Sequence, residues 1–125
     1  MNLVDSSGWL AYLTDGHNSD FFAKAILGTE EIVVPTIVFY EIFKKTLSDK
    51  GEEFALQTIG QLHKYTVVDL DEDLSLSAAR ISHERKIPMA DSIIYATANK
   101  FGATIWTQDK DFKDLPNVKY VQRKR

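Results

Sequence analysis

Residues 87–109 read Ile87-Pro88-Met89-Ala90-Asp91-Ser92-Ile93-Ile94-Tyr95-Ala96-Thr97-Ala98-Asn99-Lys100-Phe101-Gly102-Ala103-Thr104-Ile105-Trp106-Thr107-Gln108-Asp109. Pro88 suits the first turn of a helix, where its missing N–H costs nothing. The helix it opens is expected to close near Gly102. Thr104-Ile105-Trp106 then reads as a short strand with no alternating polar residues, the pattern of a strand covered on both faces. Two acids bracket this helix–strand unit. Asp91 has Ile87, Ile94 and Tyr95 on its helix face, and Asp109 directly follows the strand. A carboxylate on an apolar face is costly to desolvate unless something compensates it.

The same pattern repeats outward along the chain. Leu3-Val4 reads as a first strand ending at Asp5, and Ser6 or Ser7 caps a helix through Trp9, Leu10, Tyr12 and Leu13. Asn18 or Ser19 caps a second helix that closes at Gly28. Ile32-Val33-Val34 is a second strand stopped by Pro35, and Thr36 caps a helix running to about Asp49. Gly51-Glu52-Glu53 begins a helix through Leu56, Ile59 and Leu62. Thr66-Val67-Val68 is a third strand, and Asp71 caps a helix carrying Leu74, Leu76, Ala78, Ala79 and Ile81. Lys119-Tyr120-Val121 is a candidate fifth strand. The expectation is one α/β domain over residues 1–125, with a mostly parallel central sheet of four to five strands and helices on both faces.

Bulk properties narrow the chemistry. The chain has 125 residues, 44% hydrophobic and 26% charged, which suits one globular core. It has no cysteine, which excludes disulfides, thiolate metal sites and a cysteine nucleophile. His17, His63 and His83 are too scattered for a histidine metal motif. The apolar stretch Ile32 to Tyr40 is too short to span a bilayer, and Met1-Asn2-Leu3-Val4-Asp5 lacks signal-peptide features, so a cytoplasmic address without a membrane partner is expected. Net charge is −3, which argues against a general electrostatic binder of nucleic acid but not against a nuclease whose metal supplies local positive charge. Lys119, Arg123, Lys124 and Arg125 gather at the C-terminus, where a solubilising tail is the ordinary reading.

Four acids are candidates for one site: Asp5, Glu41, Asp91 and Asp109. Each has an ordinary explanation. Asp5 can cap a helix, Glu41 can pair with Lys45 one turn on, Asp91 can sit in a first turn favoured by the helix dipole, and Asp109 can open a turn before Asp111-Phe112. Together, each at the start of a segment that follows a strand or a proline turn, they are poorly explained by chance. In open parallel sheets ligands bind beyond the carboxyl ends of the strands, so all four are expected at one edge. Ser6 and Thr107 flank two of them and can fix their rotamers by hydrogen bonding. Trp9, Trp106, Phe39, Tyr40 and Phe43 read as packing residues.

These residues resemble a known family. The segments Leu3-Val4-Asp5-Ser6-Ser7, Pro35-Thr36-Ile37-Val38-Phe39-Tyr40-Glu41, Pro88 to Ala98 and Gly102 to Asp109 resemble, in order, the acid-bearing segments of a PIN-domain ribonuclease of the VapC toxin type. The resemblance implies a metal-dependent endoribonuclease, a homodimer, held in check by a cognate antitoxin, with RNA as substrate. It implies Asp5, Asp91 and Asp109 as metal ligands. Glu41 then contacts the metal directly or through water, or orients the attacking water. An all-oxygen donor set suits Mg²⁺ or Mn²⁺. Asp111 either assists Asp109 or caps the short helix toward Leu115. Lys44 and Lys45 can hold substrate phosphates, with solvated helix charges as the ordinary reading. Two rival readings are a phosphoacceptor receiver-type signalling domain, with Asp69 or Asp71 as acceptor, and a PIN scaffold that only binds a partner.

Overall fold

The computed structural model describes residues 1–124. Five strands, the first three each followed by a pair of helices, run in the order β1 (Asn2–Val4), α1 (Ser6–Leu13), α2 (Ser19–Ile26), β2 (Val33–Pro35), α3 (Thr36–Lys50), α4 (Glu52–Leu62), β3 (Thr66–Val68), α5 (Glu72–Arg85), α6 (Met89–Phe101), β4 (Thr104–Thr107) and β5 (Val118–Tyr120). A single 3-10 turn, Lys110–Phe112, separates β4 from β5. β4 pairs with β1 on one side and β5 on the other, and β2 pairs with β3, every ladder parallel. A lone parallel bridge from Asn2 to Ile32 joins the two ladders. The strands therefore run in the order β3-β2-β1-β4-β5, as one parallel layer with a weak seam between β1 and β2.

The expected α/β architecture holds, with two refinements. The sheet divides into three strands and two, and the fifth strand is set one residue earlier than Lys119. β1 and β2 meet only at that one bridge, while each pairs along its full length with its other neighbour.

Several helix starts differ from expectation. Asp5, not Ser6 or Ser7, caps α1, accepting from the Gly8 N–H at 3.0 Å. Asn18 holds the cap position of α2 in the left-handed region (φ 68°), so its side chain is aimed elsewhere. α2 itself ends at Ile26, ahead of Gly28. Thr36 is already helical, and its hydroxyl accepts from the Leu70 N–H at 3.3 Å. Asp71 caps α5 as expected, accepting from Leu74 N–H at 2.9 Å.

Strand residues Leu3, Val4, Val33, Val34 and Ile105 are almost wholly buried, as are Trp9, Phe22 and Phe112. Each such side chain contributes about 1.5–3 kcal/mol of burial. A smaller cluster, Leu74, Ala78, Ile93 and Ala96, joins α5 to α6. α6 is the most enclosed helix: every residue from Asp91 to Ala98 is buried. Its hydroxyls resolve their own burial, since Ser92 donates to Met89 O at 2.7 Å and Thr97 to Ile93 O at 2.8 Å. The Asp91 carboxylate has no such local donor, and it points into the cleft described next.

Candidate active site

β1 and β4 lie side by side, while the chain after β1 moves away to β2 on its other side. This is the switch point of the sheet, where the loops diverge and leave a crevice. A cleft of about 420 Å³ opens there. Its wall includes Asp5, Ser6, Ser7, Glu41, Lys45, Asp91, Gln108, Asp109 and Arg123. All four acids singled out from the sequence thus reach one cavity.

Asp5 is 3% exposed and is gripped by three donors. Thr107 Oγ1 donates to Oδ2 at 2.7 Å, Ser7 Oγ to Oδ1 at 2.8 Å, and the Gly8 N–H to Oδ1 at 3.0 Å. Burial nonetheless raises its pKa from 3.8 to about 6; the three hydrogen bonds oppose the rise and the Asp109 charge adds to it. Thr107 is itself fully buried and accepts from the Asp109 N–H at 2.9 Å, so one hydroxyl fixes the geometry between two acids.

Asp91 is pushed up to about 8, first by burial, then by the Asp109 charge, a hydrogen bond with Asp111, and the charges of Asp111 and Asp5. Carboxylate oxygens of Asp91, Asp109 and Asp111 lie within 4.8 Å of one another. That is the span of oxygens around one hard cation at about 2.0–2.6 Å. Carboxylates this close are eased by sharing a proton or a cation, and oxygen donors alone suit a hard cation over soft metals. The residues present fit such an ion. Asp5 borders the cleft but stands outside this group of three. Asp111, weighed from the sequence as helper or cap, is inside it, while Asp109 caps the turn by accepting from Asp111 N–H at 2.9 Å.

Glu41 is half-buried on α3. It pairs not with Lys45 but with Ser6, whose hydroxyl donates to Oε1 at 2.6 Å. Lys45 instead meets Asp49 at 3.3 Å. Lys44 is absent from the cleft wall and sits 5.9 Å from the Tyr40 ring centre. Asp71 is an exposed cap 3.9 Å from Lys100. Asp69 and Asp71 follow β3, an edge strand, not the interior strand at the switch point where the acids converge.

Sequence reading passed over three neighbours. Gln108 is 8% exposed, donates to Ser7 O at 3.1 Å, and accepts from Asn18 Nδ2 at 2.9 Å. Asn18 also donates to Gln122 O at 3.0 Å. This clasp holds the C-terminal segment where Arg123 reaches the cleft. The only sequence signal was a polar amide, Gln108, between Thr107 and Asp109.

Among the described residues no helix is long and apolar enough to cross a membrane. None of the curated proteins matches the chain. Solved structures of similar fold include a toxin–antitoxin complex from Klebsiella pneumoniae (22% identity, 95% of this chain and 96% of that one, TM-score 0.77). A second is Mycobacterium tuberculosis VapC20, described as a sarcin-ricin loop cleaving toxin (17% identity, 94% and 97% covered, TM-score 0.81). A third is DNA-bound VapBC from Salmonella typhimurium (17% identity, 98% of each chain, TM-score 0.74). The family model of the PIN domain matches residues 3–118, nearly the whole of the folded chain, and the protein therefore belongs to the PIN domain family.

Proposed function

We propose that this protein is a metal-dependent endoribonuclease and the toxin of a toxin–antitoxin pair. The observation that carries the reading is the convergence of Asp5, Glu41, Asp91, Asp109 and Asp111 on one cleft and turn at the sheet's switch point, in a PIN fold. The fold's likeness to VapC20 and to toxins solved with antitoxins supports RNA as substrate and an antitoxin as partner. A homodimer is what the resemblance to VapC-type toxins implies, and the cytoplasmic address rests on the sequence features given above.

Asp91, Asp109 and Asp111 would hold Mg²⁺ or Mn²⁺, joined by Asp5 from the cleft wall. When bound, such a cation neutralises charge on the phosphate and lowers the pKa of water. The chain's own work is positional. Thr107 and Gly8 keep Asp5 in one rotamer, and Thr107 sets Asp109 against it. Glu41, anchored by Ser6, orients the attacking water and accepts its proton. The water oxygen bonds to phosphorus, and the bond from phosphorus to the leaving ribose oxygen breaks, that oxygen taking its proton from solvent. No side chain becomes covalently attached.

Expression in a bacterial host tests the toxin reading. Wild type is expected to arrest growth and degrade cellular RNA, Asp91→Asn to do neither, and the product of the neighbouring reading frame to restore growth. Undiminished growth and intact RNA with soluble wild-type protein would favour the partner-binding scaffold instead.

A further inference from the structure

A second groove, of about 600 Å³, opens beside the acid cleft. The two share Gln108, Asp109 and Arg123, so they adjoin across these side chains. Beyond the shared residues its walls carry Lys110, Asp111, Lys113, Tyr120 and Gln122. Three cations, Lys110, Lys113 and Arg123, therefore outnumber two acids, Asp109 and Asp111, in this groove of a chain whose net charge is −3. The ion pairs among the described residues use Met1, Lys45 and Lys100, so Lys110, Lys113 and Arg123 have no carboxylate partner among them, and Lys113 lies 5.8 Å from the Tyr120 ring centre.

Arg123 does not arrive there by chance of a loose end. Val121 N–H donates to Thr107 O at 3.0 Å, extending the β5 ladder past Tyr120. Asn18 then binds Gln122 O and Gln108 together. Asn18 does this from a left-handed backbone conformation that asparagine accepts more readily than most residues.

We propose that this groove is the binding track for the RNA strand on one side of the scissile phosphate, with Lys110, Lys113 and Arg123 each meeting a backbone phosphate and Asn18 positioning Arg123. The proposal rests on the nuclease reading. A strand with one phosphate in the acid cleft must carry its next phosphates past the adjoining groove, where these cations stand. Recognition of this kind reads the backbone and not the bases.

Fluorescence anisotropy of a labelled single-stranded RNA is the test, in the Asp91→Asn background so that nothing is cut. Adding K110A, K113A and R123Q should weaken binding by roughly two orders of magnitude at 0.1 M salt, and flatten the slope of log affinity against log salt by about 2. Neutralising Lys50, Lys64 and Arg80, which lie outside the groove, should leave the slope nearly unchanged. N18G should weaken binding when Arg123 is present and add nothing when it is R123Q, a dependence a merely structural role would not show. Matching melting curves exclude misfolding as the cause. Unchanged affinity and slope in the triple variant, while wild type still cleaves RNA with metal, would overturn the groove alone. Loss of polyglutamate binding without loss of RNA binding would also overturn it, in favour of an acidic peptide. Failure of wild type to cleave any RNA would overturn the parent reading and this one with it.

Discussion

Thr107 is the residue on which the most geometry depends. It is buried, it donates to Asp5 and it accepts from the Asp109 backbone. Thr107→Val keeps the shape and deletes both bonds, leaving a buried carboxylate and an amide short of partners. The expected cost is about 1–3 kcal/mol in denaturant unfolding, with a fall in kcat that Thr107→Ser restores. Asp5 and Asp91 also set a pH dependence. Both have folded-state pKa values raised above 3.8, to about 6 and about 8. A raised carboxylate pKa contributes stability below about pH 4 that is lost as pH climbs through the folded value. For Asp5 the full loss amounts to about 3 kcal/mol. Metal-free protein should therefore melt at lower temperature at pH 8 than at pH 5. Asp91→Asn should flatten that decline, and Mg²⁺ should raise the wild-type melting temperature most at high pH. A metal-free melting temperature that rises from pH 5 to pH 8 would contradict this. The acids were legible in the sequence because charge in an apolar setting has few explanations. Gln108, Asn18 and Arg123 were not, because their contacts join positions 90 to 104 apart and leave no periodic trace.

Element packing makes a sharper contrast between two glycines. Gly8, in α1, faces Phe22 and Val4 so closely that an added Cβ would lie 2.5 to 2.7 Å from their carbons. Gly8→Ala should cost about 1–3 kcal/mol by overpacking, and should weaken activity by displacing the N–H that holds Asp5. Gly60, within α4, meets nothing within 4 Å. Gly60→Ala should stabilise by up to about 1 kcal/mol, through helix propensity alone. Chemical denaturation of the two variants checks both signs. Helix and strand positions were largely readable from apolar runs and breakers, because burial imposes them. Helix starts were less so. Asp5-Ser6-Ser7 offers three capping residues in a row, and only the tertiary hold of Thr107 on Asp5 settles which one caps.

At the scale of the whole molecule, strand order is what makes a site from scattered acids. β1 and β4 sit centrally, and their carboxyl ends deliver Asp5 and Asp109 side by side; α3 and α6 bring Glu41 and Asp91 over the same crevice. The sequence implied a parallel sheet through short, uniformly apolar strands, but it carried no sign of the seam between β1 and β2, which meet at a single bridge. The central claim is that this acid cleft cuts RNA with a bound cation. Its most direct test is cleavage of a mixed RNA substrate by purified, antitoxin-free wild type and by Asp91→Asn, each with Mg²⁺, Mn²⁺ or EDTA. The account predicts cutting by wild type with either metal, none with EDTA, and none by the folded variant. Full cleavage by Asp91→Asn, or cleavage undiminished in EDTA, would contradict it.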